Sequence, residues 1–180
     1  MDLKTRKHLD NLFSDNKDLQ NEAFFYILKE TEKPVDWAYE VWDQLVEGLH
    51  HKDNHVRAIS AQILANLAKS DPENRMKNDF PALMAVTGDE KFVTARHTLQ
   101  SIWKVGKESK MRKTVVDALA NWFKNCKKQK NRTLIRYDII QGLRSLYDEV
   151  REETIKKKAL ELIETEEDIK YKKKYASVWK

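Results

Sequence analysis

Residues 53–69, DNHVRAISAQILANLAK, carry the pattern from which the architecture follows. Asp53-Asn54-His55 reads as a loop. After it, Val56, Ile59, Ser60, Ile63, Leu64 and Leu67 are small or apolar at spacings of three and four, which a helix gathers onto one stripe. Asp71-Pro72 then marks a stop and restart. The remaining face is mostly small and carries two cations: Arg57, Ala61, Ala65 and Lys69.

Sliding this pattern forward by 39 residues sets Arg57 on Arg96, Ile63 on Ile102 and Leu64 on Trp103; a further 40 sets Arg96 on Arg136, Leu99 on Ile139 and Trp103 on Leu143. Core and arginine therefore recur together, the mark of a repeat architecture. Weaker copies at 36 residues on either side place Asn21 at the arginine position, with Phe24, Ile27 and Leu28 as core, and Lys172 there with Tyr171, Tyr175, Val178 and Trp179. Terminal caps of repeat arrays are usually atypical. Amphipathic partner helices are expected at roughly 2–13, 34–49, 73–87, 109–127 and 151–165, the second behind Pro34, a residue suited to a first helical turn. The run from Phe24 to Leu28 spreads apolar groups around most of a helix, which predicts neighbours on several sides.

Leu45 and Leu49 on a first helix, Asp53 in the turn, then Val56-Arg57, Ala61, Leu64, Leu67 and Ala68 on a second, resemble a HEAT repeat. The resemblance implies an all-α fold, a right-handed α-α superhelix of about five helix pairs forming a single HEAT-like repeat domain over 1–180. It also implies a binding scaffold with the second helices along the concave side.

Composition agrees with one helical unit. The chain has 180 residues, 41% hydrophobic, with only 4 Gly and 3 Pro, too few for a turn-rich sheet protein. The single cysteine, Cys126, excludes an internal disulfide, and the charged N-terminus lacks a signal peptide's apolar stretch. A reducing, cytoplasmic setting is expected, with no run of 18 apolar residues to span a membrane.

Charge is uneven. Residues 1–90 hold 11 Lys and Arg against 17 Asp and Glu, whereas residues 91–136 hold 13 against 2, so the whole net charge of +5 comes from that band. On the repeat frame Arg96, Gln100 and Lys104 share one stripe, Arg136 and Arg144 occupy equivalent places, and Arg57 precedes them. Lys107 joins the stripe's end, and Lys124, Lys127, Lys128, Lys130 and Arg132 cluster at a helix end and its loop. Arg57, Arg96, Gln100, Lys104, Lys107, Lys127, Lys128, Arg136 and Arg144 are thus the candidate partner-binding residues. The recurrent arginines have a second use in HEAT-like proteins, an inter-repeat ladder with turn acids, and both uses stay open. Asp53 fits such a ladder, Asp89 is displaced, and Asn131 stands in the third turn.

No catalytic constellation accompanies them. His51 and His55 have i, i+4 spacing but flank a turn without a cysteine, so neither metal nor cofactor is expected. His97 reads as a helix-edge residue. Cys126 has lysine neighbours but no nearby histidine and reads as half-buried. Asp117, Trp122 and Trp103 resemble, at fold level only, the acid-plus-aromatic sites of HEAT-like glycosylases that remove alkylated bases. Tyr171, Tyr175 and Trp179 form either the packed face of the last helix or a docking stripe. The expected function is a non-enzymatic scaffold whose basic face holds an acidic protein segment. The alternatives are nucleic-acid binding by the same cations and, last, a glycosylase.

Overall fold

The computed structural model describes residues 1–180, which form helices and turns and no strand. Ten α-helices follow in chain order: α1 (Leu3–Asn11), α2 (Lys17–Glu30), α3 (Ala38–Gly48), α4 (Asn54–Leu67), α5 (Met76–Ala85), α6 (Phe92–Ile102), α7 (Ser109–Asn125), α8 (Arg132–Val150), α9 (Glu153–Glu164) and α10 (Ile169–Ser177). They fall on the segments that the repeat frame assigns to first and second helices, and the chain is all-α. By packing it divides into two compact units, Met1–Thr98 and Leu99–Lys180, with the boundary inside α6.

In the first unit α1 pairs with α2 and α3 with α4, while α2 lies beside α4 and α3 beside α5. The side chains of Asn16 and Asp53 cap α2 and α4 by accepting first-turn N–H groups. α4 is enclosed: Ala61 and Ala65 are as buried as Ile63 and Leu64, although the repeat frame puts them on an open rung beside Arg57. Small side chains on that face let neighbouring helices close over it. Lys69 is likewise no rung. Its ammonium donates to the carbonyls of Thr31 (2.9 Å) and Glu32 (3.0 Å), and Asn66 donates to Leu28 O (3.1 Å), so α4 serves carbonyls that α2 leaves open at its C-terminus. A Cβ on Gly48 would fall on the Ser60 hydroxyl, so α3 and α4 meet as closely as they do only with glycine there.

Three details depart from the sequence reading. The caps of α2 and α4, Asn16 and Asp53, are 37 residues apart, so Gln20 rather than Asn21 takes the arginine position. Gln20 is buried and donates to Leu12 O at 3.2 Å, and the buried core of α2 includes Ala23 and Ile27, whereas Phe24 and Leu28 are half-buried. Phe25 is 66% exposed, so the aromatic run is not covered on all sides. Finally, α3 starts at Ala38 and Pro34 lies outside it, in a lead-in segment where the Val35 N–H donates to Ser70 Oγ at 2.9 Å.

In the second unit α8 packs against α7, α9 and α10, α7 lies beside α9, and α9 meets α10. Phe123 and Tyr175 meet edge to face at 6.1 Å, and the Tyr175 hydroxyl donates to Thr133 O at 2.9 Å. Burial pushes the Tyr175 phenol far above its usual range. Of the stripe Tyr171, Tyr175 and Trp179, the last two pack on α8: Tyr175 is fully buried, and the half-buried Trp179 ring lies 5.5 Å from Tyr147 and 5.6 Å from the Arg144 guanidinium.

Candidate binding surface

The recurrent arginines divide by what their guanidinium groups meet. Arg57, in the first turns of α4, donates from Nε and Nη2 to both Asp89 oxygens at 2.6 and 2.9 Å and from Nη1 to the carbonyls of His51 and Lys52. Burial of Asp89 opposes its ionisation, but the hydrogen bonds from Arg57 and the Lys91 N–H outweigh that and hold its carboxyl below the usual range. Arg136 is deeper. Its Nη1 donates to Glu166 at 2.7 Å and its Nε to Phe123 O at 3.0 Å, with both side chains under a tenth exposed, at 8% and 6%. Its guanidinium also lies 4.7 Å from the centre of the Phe123 ring. Burial disfavours this charge, yet Glu166 more than compensates and keeps the pKa raised. Each of these arginines thus ties its helix, α4 or α8, to the turn ahead of α6 or α10 within its own unit.

The other candidates vary. Arg96 is half-buried, 6.0 Å from the Phe92 ring centre, Gln100 is exposed, and Lys104 is half-buried. Lys107 pairs with Glu149 at 2.7 Å, and Arg144 pairs with Asp148 at 2.9 Å while donating to Val178 O at 3.0 Å. Lys127 and Lys128 are exposed and belong to a group that those arginine pairs leave unpaired.

That group is the α7–α8 turn. Lys124 lies in the last turn of α7, Lys127 and Lys128 in the 3₁₀ turn that follows, Lys130 in the loop, and Arg132 opens α8. All five are exposed and none has an ion pair. Beneath them the turn is anchored: Cys126 is buried with its thiol directed to Phe123 O at 3.5 Å, and Gln129 N donates to Cys126 O at 2.9 Å. Burial pushes the Cys126 thiol up against the opposing pull of Arg136, so this fully buried cysteine is a packing residue, more deeply placed than its lysine neighbours suggest. Where Asp53 caps α4, Asn131 precedes α8 without a side-chain cap bond, and so brings no carboxylate to this turn.

Between this turn and the one joining α9 to α10 lies a cavity of about 330 Å³, lined by Lys127, Arg132, Arg136, Thr165, Glu166, Glu167 and Asp168. The carboxylates of its far wall are absent from the sequence-derived site. The only signal for them was the acidic run ahead of α10, which reads as an ordinary helix start.

Elsewhere, His51 Nδ1 accepts the Asp53 N–H at 3.0 Å and so belongs to the α3–α4 turn. No group of three or more His, Cys, Asp or Glu side chains is placed to hold a metal ion. Asp117 pairs with Lys113 at 2.5 Å, and the half-buried Trp103 donates its indole N–H to Gln100 O at 2.9 Å. No helix is long and apolar enough to cross a membrane. No family model and no curated protein matches the chain.

Proposed function

We propose that the chain is a cytoplasmic, non-enzymatic scaffold of the HEAT-like α-solenoid kind that holds an acidic protein segment on the basic surface of its second unit. The observation that carries this reading is the α7–α8 turn: five exposed cations within nine residues, none paired, on a turn whose underside is fixed by Cys126 and Phe123. Exposed like charges so close together repel one another, and an acidic ligand relieves that repulsion. The HEAT-like assignment draws support from the repeated helix pairs and from the two ladder arginines, Arg57 and Arg136.

A protein segment is favoured over nucleic acid by the surroundings. Glu167 is exposed without an ion pair beside the cationic turn. A long polyphosphate tracking past the turn would meet that charge, whereas a short acidic segment spans only the turn. The test is capture from cell extract, with and without nuclease, by the wild type and by Lys124→Glu/Lys128→Glu/Lys130→Glu. The triple variant is expected to lose nuclease-resistant partners while its thermal midpoint moves by no more than about 6 °C, since three exposed substitutions cost at most about 1.5 kcal/mol together. Undiminished capture by the variant refutes the basic surface, and capture abolished by nuclease transfers it to nucleic acid.

A further inference from the structure

The cavity between the α7–α8 and α9–α10 turns has a lining whose charges balance: Lys127, Arg132 and Arg136 face Glu166, Glu167 and Asp168. These six are not equally available. Arg136 and Glu166 satisfy each other at 2.7 Å, and Asp168 accepts the N–H groups of Lys170 and Tyr171 at the start of α10. That leaves Lys127 and Arg132 as open cations on one wall and Glu167 as an open acid on the other. The volume, about 330 Å³, leaves room for one side chain and its approach.

We infer that this cavity is the anchor site for a single carboxylate side chain of the acidic segment and that it discriminates against a phosphoryl group. The inference rests on the proposed function and adds the chemistry of the anchor. The attraction of an anion to the lining grows in proportion to its charge, but the cost of removing it from water grows roughly with the square of that charge. Where the lining is strongly positive the first effect wins and a phosphate dianion binds best. Here the lining sums to zero, so the gain per unit charge is small and the desolvation cost decides. A carboxylate meets Lys127 and Arg132 and bears the repulsion of Glu167 and Asp168 once. A phosphate bears twice that repulsion and a far larger loss of hydration.

The experiment uses the full chain at low salt and fluorescence anisotropy with two labelled probes, hexaglutamate and the same peptide with its two central residues replaced by phosphoserine. Hexaglutamate is expected to bind at least as tightly as the phosphopeptide. Arg132→Ala should weaken hexaglutamate about fivefold, the scale of a charge-assisted contact. Glu167→Gln, which makes the lining positive, should strengthen the phosphopeptide about fivefold more than hexaglutamate. A phosphopeptide that binds tighter to the wild type, or a Glu167→Gln gain equal for both probes, overturns the inference. Hexaglutamate binding that Arg132→Ala spares and Lys124→Glu/Lys128→Glu/Lys130→Glu abolishes overturns the cavity but keeps the basic surface. Failure of both probes to bind removes the proposed function and the anchor together.

Discussion

Arginine spacing alone cannot separate a ladder from a ligand site, because both need a cation at the same helical position in successive repeats. What separates them is the acid each arginine meets, and those acids moved relative to the repeat frame. Asp89 reaches Arg57 from the turn before α6, and Glu166 reaches Arg136 from two residues ahead of the α10 cap, so neither occupies the place of Asp53. Removing one partner of a buried pair strands the other, so Glu166→Ala should cost about 3 kcal/mol, read as a shift in the urea midpoint. For Asp89 the sign of the pH dependence follows from its depressed folded pKa. The stabilisation is fully present above the unfolded carboxyl value of about 4 and is lost as pH falls through the folded value. Asp89→Asn should therefore be less stable than the wild type at pH 7, with the difference shrinking as both are titrated toward pH 2. Urea melts across that range check it, and a gap that persists in acid would remove the ion pair as the cause.

At the level of the helix, existence and order were legible because apolar spacing is a property of each segment alone. Phase and enclosure were not, because they depend on neighbours. A one-residue error in α2 exchanged Asn21 for the buried Gln20, and the aromatic run that suggested a surrounded helix leaves Phe25 mostly in water. α4 shows the reverse: Ala61 and Ala65 look like a small exposed face in sequence and are sealed in the fold. The contrast gives paired expectations. Ala61→Leu inserts three carbons into a closed contact and should destabilise by about 1–3 kcal/mol or more, and Gly48→Ala should fall in the same range against Ser60. Phe25→Ser should stay within about 0.5 kcal/mol. Thermal or urea melts of the three variants measure these costs together, and a neutral Ala61→Leu would show that the α4 face is open.

For the whole molecule, the charge asymmetry visible in sequence survives in sharper form. The first unit holds 13 Lys and Arg against 17 Asp and Glu, net −4, and the second 21 against 12, net +9. In the second unit most carboxylates pair with a cation or serve a cap, as Glu149, Glu152, Glu164 and Glu166 do, and the five cations of the α7–α8 turn are among those left without a partner. The sequence located this band but could not say which cations were already spent; Lys107, Arg136 and Arg144 are engaged, while Lys130 and Arg132 are open. Exposed cations act through solvent, so their attraction fades as the screening length shortens from about 10 Å at 0.1 M salt to about 3 Å at 1 M. Binding of an acidic segment should consequently weaken steeply and smoothly with salt. In the triple lysine variant the remaining salt dependence should be much shallower, since fewer unpaired charges are left to screen. The fold should not share that sensitivity, because the Arg57 and Arg136 pairs lie largely out of solvent. Parallel salt titrations of peptide affinity and of the thermal midpoint separate the two kinds of cation: affinity that holds through 0.5 M salt would mean that apolar contact, not the basic turn, dominates recognition.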